Sequence, residues 1–270
     1  MSSDEAPIET GPIPLEEGPQ APDLPGTVIV GPTADAVIDA LAADMLGQAK
    51  TCVRQFGDFH LALSGGSTPQ PLYRRLMYDP RLRDFPWART HLWIVDERRV
   101  PFDDQRSNFG MIRDLIIEPS GIPASQVHAM PATEADGDEL YETELRETLG
   151  WREKGHDRLD FALLGMGDDL HTASLFPRSV ALEAPEHRLV VINAGDAVTP
   201  PERITMTYSL LNASRVLAVL VTGEKKQAAI ARLVGQKPSP ADAPIAGLKP
   251  IGGVLRWYLD PAACPPRQDG

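Results

Sequence analysis

Cysteine is scarce in this chain: 270 residues hold only Cys52 and Cys264, far apart in sequence. That excludes a disulfide framework and a cysteine metal cluster, and it suits a reducing cytosol. Long apolar runs are missing too. None approaches the roughly 20 residues of a membrane-spanning helix. The start, Met1 to Glu5, is acidic and lacks the apolar core of a secretory leader. A cytoplasmic protein without a membrane partner is expected. Basic residues are in deficit, 26 Lys and Arg against 38 Asp and Glu, for a net charge of −12. Such a chain has no basic footprint for nucleic acid. Any anionic ligand must be held by a local cluster of positive groups.

The first 26 residues contain no Lys or Arg at all, but many prolines with Asp4, Glu5, Glu9, Glu16, Glu17 and Asp23. This composition predicts a disordered tail over 1–26, with a second, short tail at 265–270. What remains, 27–264, is enough for one core, since hydrophobic residues make up 42% of the chain. Nothing in the sequence repeats, and a monomer is expected.

Between the tails, strand and helix signals alternate. Strands are predicted at Thr27–Val30, His60–Leu63, Leu92–Val95, Leu159–Leu164, Leu189–Ile192 and Val216–Val221, with Arg256–Leu259 as a last edge strand. Helices are predicted at Ala34–Gln55, Pro69–Met77, Asn108–Ile117, Asp138–Leu149, Met206–Ala213 and Glu224–Val234. Pro238–Pro250, with four prolines, reads as a loop. The alternation predicts an α/β fold: a mainly parallel, Rossmann-like sheet with helices on both faces.

Polar groups gather where these strands end. In such sheets ligands bind beyond the carboxyl ends of the strands. The apolar run Leu159–Leu164 stops at Gly165-Met-Gly167, and Asp168, Asp169 and His171 follow. A carboxylate and an imidazole at a sheet mouth could move protons or activate water. Such pairs also occur as helix caps. The strand at His60–Leu63 runs into Ser64-Gly-Gly-Ser-Thr-Pro69. Its glycines permit close backbone approach, Thr68 is a candidate N-cap, and Pro69 a candidate first helical residue. Free N–H groups at a helix N-terminus attract anions. The same sequence also fits a tight turn that binds nothing. It lacks the P-loop lysine and is not a dinucleotide fingerprint. Asp96-Glu97-Arg98-Arg99, Arg203 and Lys226 lie just past other strands. A lysine near a helix start opposes the dipole, which makes sense if it serves an anion. Ser67 and Ser174 lack a nucleophile elbow. His60, His91, His128, His156 and His187 read as structural or surface residues.

These segments resemble the 6-phosphogluconolactonase family, itself related to the glucosamine-6-phosphate deaminases. The resemblance rests on Ser64–Pro69, Asp96-Glu-Arg with Val100-Pro101 and Ser107-Asn108, Gly165-Met-Gly-x-Asp169-x-His171-Thr-Ala-Ser-Leu-Phe-Pro177, Arg203-Ile-Thr, and Val221-Thr-Gly-Glu-x-Lys226. It spans about residues 27 to 262. One position departs: the family usually carries Gly where this chain has Leu170, and leucine tolerates positive φ poorly. The deaminases carry a carboxylate five residues after the His, and here Phe176 stands there.

The resemblance implies a hydrolase that opens 6-phospho-D-glucono-1,5-lactone to 6-phosphogluconate in the oxidative pentose phosphate pathway, without a cofactor or metal. The partner is then a small phosphorylated sugar lactone. His171 would be the general base and Asp169 its orienting carboxylate; a two-residue spacing leaves their direct contact open. Gly65, Gly66, Ser67 and Thr68, with Arg98, Arg203 and Lys226, would take the phosphate. Asp96 and Glu97 would bind sugar hydroxyls or shape their loop. A sugar-phosphate binder without turnover, or an amino-sugar-phosphate isomerase, are the alternatives.

Overall fold

A computed structural model describes residues 21–150, 158–196 and 198–266. Most of the expected acidic tail, and the end of the C-terminal one, lie outside them, as does His156. The tail boundary at 26 moves, however. Leu24 is buried, and the Trp257 indole donates to the Pro25 carbonyl at 2.9 Å.

Seven strands form one parallel sheet in the order β1-β10-β9-β6-β2-β3-β5. They are β1 (Thr27–Val30), β2 (Phe59–Leu63), β3 (Thr90–Ile94), β5 (Val127–His128), β6 (Phe161–Leu164), β9 (Val216–Val221) and β10 (Val254–Leu259). β2, β6 and β9 are buried at every position. That is the pattern of parallel strands covered on both faces, and it explains their continuous apolar sequences. The expected last edge strand is in fact internal: β10 pairs with both β1 and β9. Its aromatic content, Trp257 and Tyr258, suits that burial.

The covering helices bury one stripe each. In α1 (Ala34–Phe56) the stripe is Val37, Ile38, Leu41, Ala42, Met45, Ala49 and Cys52, at helical spacing. Thr33 caps its start by accepting from Ala36 N–H, and Gly57, at φ 95°, ends it. Each large side chain so buried contributes about 1.5–3 kcal/mol. The remaining helices are α2 (Gln70–Tyr78), α3 (Asn108–Ile112), α4 (Glu118–Ser120), α5 (Gly137–Leu149), α6 (Tyr208–Ala213) and α7 (Gln227–Gln236). A π turn, Arg113–Ile117, joins α3 to α4.

Two expectations fail locally. Thr68 is not the cap of α2, which begins at Gln70 after Pro69 and has no side-chain cap. The helix expected from Met206 starts only at Tyr208, and Met206 ends a strand that the sequence did not announce. β8 (Glu202–Met206) pairs antiparallel with β4 (Asp96–Arg98) and β7 (Val190–Ala194) in a separate three-stranded sheet. β7 is therefore not part of the parallel sheet. The short β4 is what carries Asp96 and Arg98 from the end of β3 toward the ligand edge.

His60, His91 and His128 lie within or beside β2, β3 and β5 and stack on Trp93 and one another. The Trp93 indole N–H lies 3.1 Å from His60 Nδ1. Indole is only a donor, so the His60 proton sits on Nε2, 3.7 Å from Asp58 Oδ1. Asp58, His60 and His91 cluster tightly enough to suggest metal ligands, but a protonated Nε2 reads as part of a polar core network instead.

Candidate active site

The carboxyl ends of β2, β6 and β9 and the start of β4 surround one cavity of about 280 Å³. This is the ligand edge that the topology dictates. Gly65, Gly66, Ser67 and Thr68 line it from the β2–α2 loop, Asp96 and Arg98 from β4, His171 from the loop after β6, and Lys226 from the turn before α7.

The β2–α2 loop is tied down from both sides. Ser64 Oγ donates to the Leu163 carbonyl at 2.8 Å, and Tyr73 OH to the Ser64 carbonyl at 2.5 Å. Gly66 sits at φ 94°, which a side chain would disfavour. A Cβ on Gly65 would overlap the Asn108 carboxamide. So both glycines are required, one by conformation and one by contact. The chain then enters α2 past Pro69, the last residue of this loop to line the cavity, with the Gln70 N–H turned back onto the Ser67 carbonyl.

Asn108 is the hub of the second wall. Its Nδ2 donates to the Asp96 carbonyl at 2.7 Å, and its Oδ1 accepts from Arg98 Nη1 at 2.6 Å. Asp96 Oδ2 accepts from Ser174 Oγ at 2.6 Å. Asn108 is legible in the sequence only as part of a motif. Ser174 is legible only as a serine lacking the surroundings of a nucleophile, and the structure shows it holding Asp96.

The third wall carries the acid–base pair. His171 Nδ1 lies 2.5 Å from Asp169 Oδ1, and the same oxygen accepts from His171 N–H at 3.1 Å. The loop turns back on itself, with Leu170 N–H donating to the Gly167 carbonyl and Gly167 N–H to that of His171. Leu170 takes φ 72° and is fully buried in the core. The expected conflict between leucine and positive φ is thus real, and burial of the side chain offsets it. A Cβ on Gly167 would overlap the imidazole and the Asp169 carboxylate. Burial pushes the Asp169 carboxyl up, but the hydrogen bond and charge of His171 and two backbone bonds outweigh it and hold Asp169 below its ordinary value.

Lys226 Nζ lies 2.6 Å from Asp168 Oδ1. The sequence pattern alone assigns Asp168 no role.

Two expected substrate contacts do not line the cavity. Glu97 is fully buried. Its carboxylate accepts from the N–H groups of Arg98, Asn108 and Phe109 and from Ser107 Oγ. Burial raises its pKa, against those hydrogen bonds. It shapes the loop and has no oxygen to spare for sugar. Arg203 is 4% exposed and donates to the Pro200 and Glu202 carbonyls. Its guanidinium lies 5.9 Å from the centre of the Phe176 ring, which packs 5.1 Å from the His171 ring. Burial, and then the Arg98 charge, lower its pKa.

Comparison with known proteins gives the family. A family model described as glucosamine-6-phosphate isomerases/6-phosphogluconolactonase matches residues 32–257. The chain is 37% identical over 241 residues to the human GDH/6PGL endoplasmic bifunctional protein, covering 86% of this chain but only 29% of that one. It thus spans under a third of that relative's length. It is 36% identical over 240 residues to the 6-phosphogluconolactonase of Nostoc sp., covering 88% of this chain and 96% of that one. The crystal structure of 6-phosphogluconolactonase from Leishmania guyanensis superposes with a TM-score of 0.76 at 26% identity, covering 89% and 98% of the two chains. No described helix is long and apolar enough to cross a membrane. By sequence and fold alike, this chain belongs to the glucosamine-6-phosphate isomerase/6-phosphogluconolactonase family.

Proposed function

We propose that this chain hydrolyses 6-phospho-D-glucono-1,5-lactone to 6-phospho-D-gluconate in the oxidative pentose phosphate pathway. The observation that carries this reading is the Asp169–His171 pair opening onto a cavity that also holds Lys226, Arg98 and the Gly65–Thr68 loop.

The phosphate binds at the Gly65–Thr68 loop, whose backbone N–H groups and Ser67 and Thr68 hydroxyls are the donors. Lys226 acts as a point charge and Arg98 as a planar donor. Asp96, fixed by Ser174, accepts from sugar hydroxyls. With Asp169 bound to Nδ1, His171 Nε2 is the basic nitrogen. It takes a proton from water as the water oxygen bonds to lactone C1. The imidazolium, stabilised by ionised Asp169, lies beside the oxyanion formed in that step. Collapse breaks the bond from C1 to the ring oxygen, which receives the proton back from Nε2. The products are a hydroxyl and a carboxylic acid that ionises in water. No cofactor takes part. Glu97 and Arg203 act at one remove, Glu97 by shaping the Arg98–Asn108 wall and Arg203 by backing Phe176.

Phe176 favours hydrolysis over isomerisation. An apolar ring stands against His171 where the deaminases carry a carboxylate. The chain is further proposed to act as a cytoplasmic monomer; its two cysteines are buried and form no disulfide.

The test is loss of the lactone against its spontaneous hydrolysis, with glucosamine 6-phosphate as a second substrate. Acceleration of the first alone supports the reading. Binding of 6-phosphogluconate without acceleration would make the protein a binder, and turnover of the amino sugar would make it an isomerase.

A further inference from the structure

The cavity's lysine does not stand alone. Lys226 ends the turn Glu224–Lys226 that follows β9, and Asp168 sits in the loop that follows β6. β6 and β9 are neighbours in register, Leu164 beside Val219, so the two loops leave adjacent strand ends. Their side chains meet at 2.6 Å. Exposure is uneven: the Lys226 side chain is 21% exposed and lines the cavity, whereas that of Asp168 is 74% exposed and does not. A carboxylate is thus bonded from the solvent side to a cation of the anion subsite.

We infer that Asp168 is an affinity-setting residue of the phosphate subsite, holding Lys226 until the phosphate arrives and then competing with it. The inference rests on the reading that Lys226 takes the substrate phosphate. An ammonium is a compact charge with three donors, so both anions can reach it, but only side by side. Two like charges around one ammonium repel through a partly exposed medium. The carboxylate therefore subtracts from phosphate binding. It also offers Lys226 a partner when the phosphorylated product leaves. Asp169, next in the chain, plays a different part, because its oxygen is committed to His171.

The experiment titrates 6-phospho-D-gluconate and inorganic phosphate calorimetrically into the full chain, as wild type, Asp168→Asn, Lys226→Ala and the double variant. Asparagine keeps the shape of an exposed side chain, so the fold is unaffected. Because exposed ion pairs are weak, Asp168→Asn is expected to tighten both probes by only about two- to fivefold. That gain shrinks in the Lys226→Ala background. Unchanged or weaker binding by Asp168→Asn, with Lys226→Ala clearly weaker, overturns the competition and leaves the phosphate reading standing. An undiminished gain without Lys226 overturns the route through that lysine. Unchanged binding by Lys226→Ala removes the subsite and this inference with it.

Discussion

His171 Nδ1 lies 2.5 Å from Asp169 Oδ1 although a single residue separates them in the chain. Leu170, at φ 72°, turns the backbone so that one carboxylate oxygen meets both the ring and the backbone N–H of His171. The bond fixes the Nδ1 proton, and it makes Nε2 the nitrogen that can accept one.

Asp169→Asn removes the charge that favours the imidazolium. Turnover is expected to fall by at least about tenfold, with binding of 6-phosphogluconate kept. The pH dependence of stability follows from the lowered Asp169 pKa. A depressed carboxyl contributes stability above its unfolded value of about 3.9, and the contribution is lost as pH falls through the folded value. Urea unfolding should therefore lose stability more steeply below about pH 4 in the wild type than in Asp169→Asn. Parallel curves would show that the pair contributes nothing to the fold.

Leu170→Gly sets two effects against each other. Glycine relieves the positive φ, worth about 1–2 kcal/mol. It also removes a fully buried side chain, which for leucine truncation costs about 2–5 kcal/mol, and it adds backbone entropy to the unfolded chain. Packing wins, so the variant is expected to be less stable by about 1–4 kcal/mol in urea unfolding. A variant as stable as the wild type would show that the loop conformation, not the side chain, dominates.

Glu97→Gln leaves the shape but turns one acceptor into a donor, facing N–H and O–H groups that need an acceptor. A cost of about 1–3 kcal/mol is expected, seen as a lower Tm. An unchanged Tm would mean that the α3 start does not depend on this carboxylate.

Lys226 and Arg203 separate by position. Lys226→Ala should raise KM for the phosphorylated lactone about tenfold to a hundredfold, the worth of one charge-assisted bond. Arg203→Ala should chiefly lower Tm, because its guanidinium is buried against backbone carbonyls and Phe176. Steady-state kinetics with melting curves decide the matter; a large KM change with normal Tm for Arg203→Ala would put it back among the phosphate ligands.

The parallel sheet was legible because β2, β6 and β9 are buried on both faces and read as unbroken apolar runs. β8 was not, since Glu202–Met206 alternates weakly and lies between the nearby β7 and a β4 distant in sequence. The ligand edge was legible because glycines and charges end the strands together. The division of labour there was not. Asp96 and Glu97 are adjacent and chemically alike, yet one lines the cavity and the other is consumed by four donors. Arg203 and Lys226 look interchangeable in sequence, and only packing turns one inward. Strand alternation sends neighbouring side chains to opposite faces, but which face meets the ligand depends on where the antiparallel sheet docks.

The most direct test replaces the base. His171→Ala, assayed against spontaneous lactone hydrolysis, should lose about 10²- to 10⁴-fold in kcat, the worth of a positioned acid–base group, while calorimetry shows 6-phosphogluconate still bound. Hydrolysis near the wild-type rate would contradict the account, because His171 is the one imidazole among the described side chains lining the cavity.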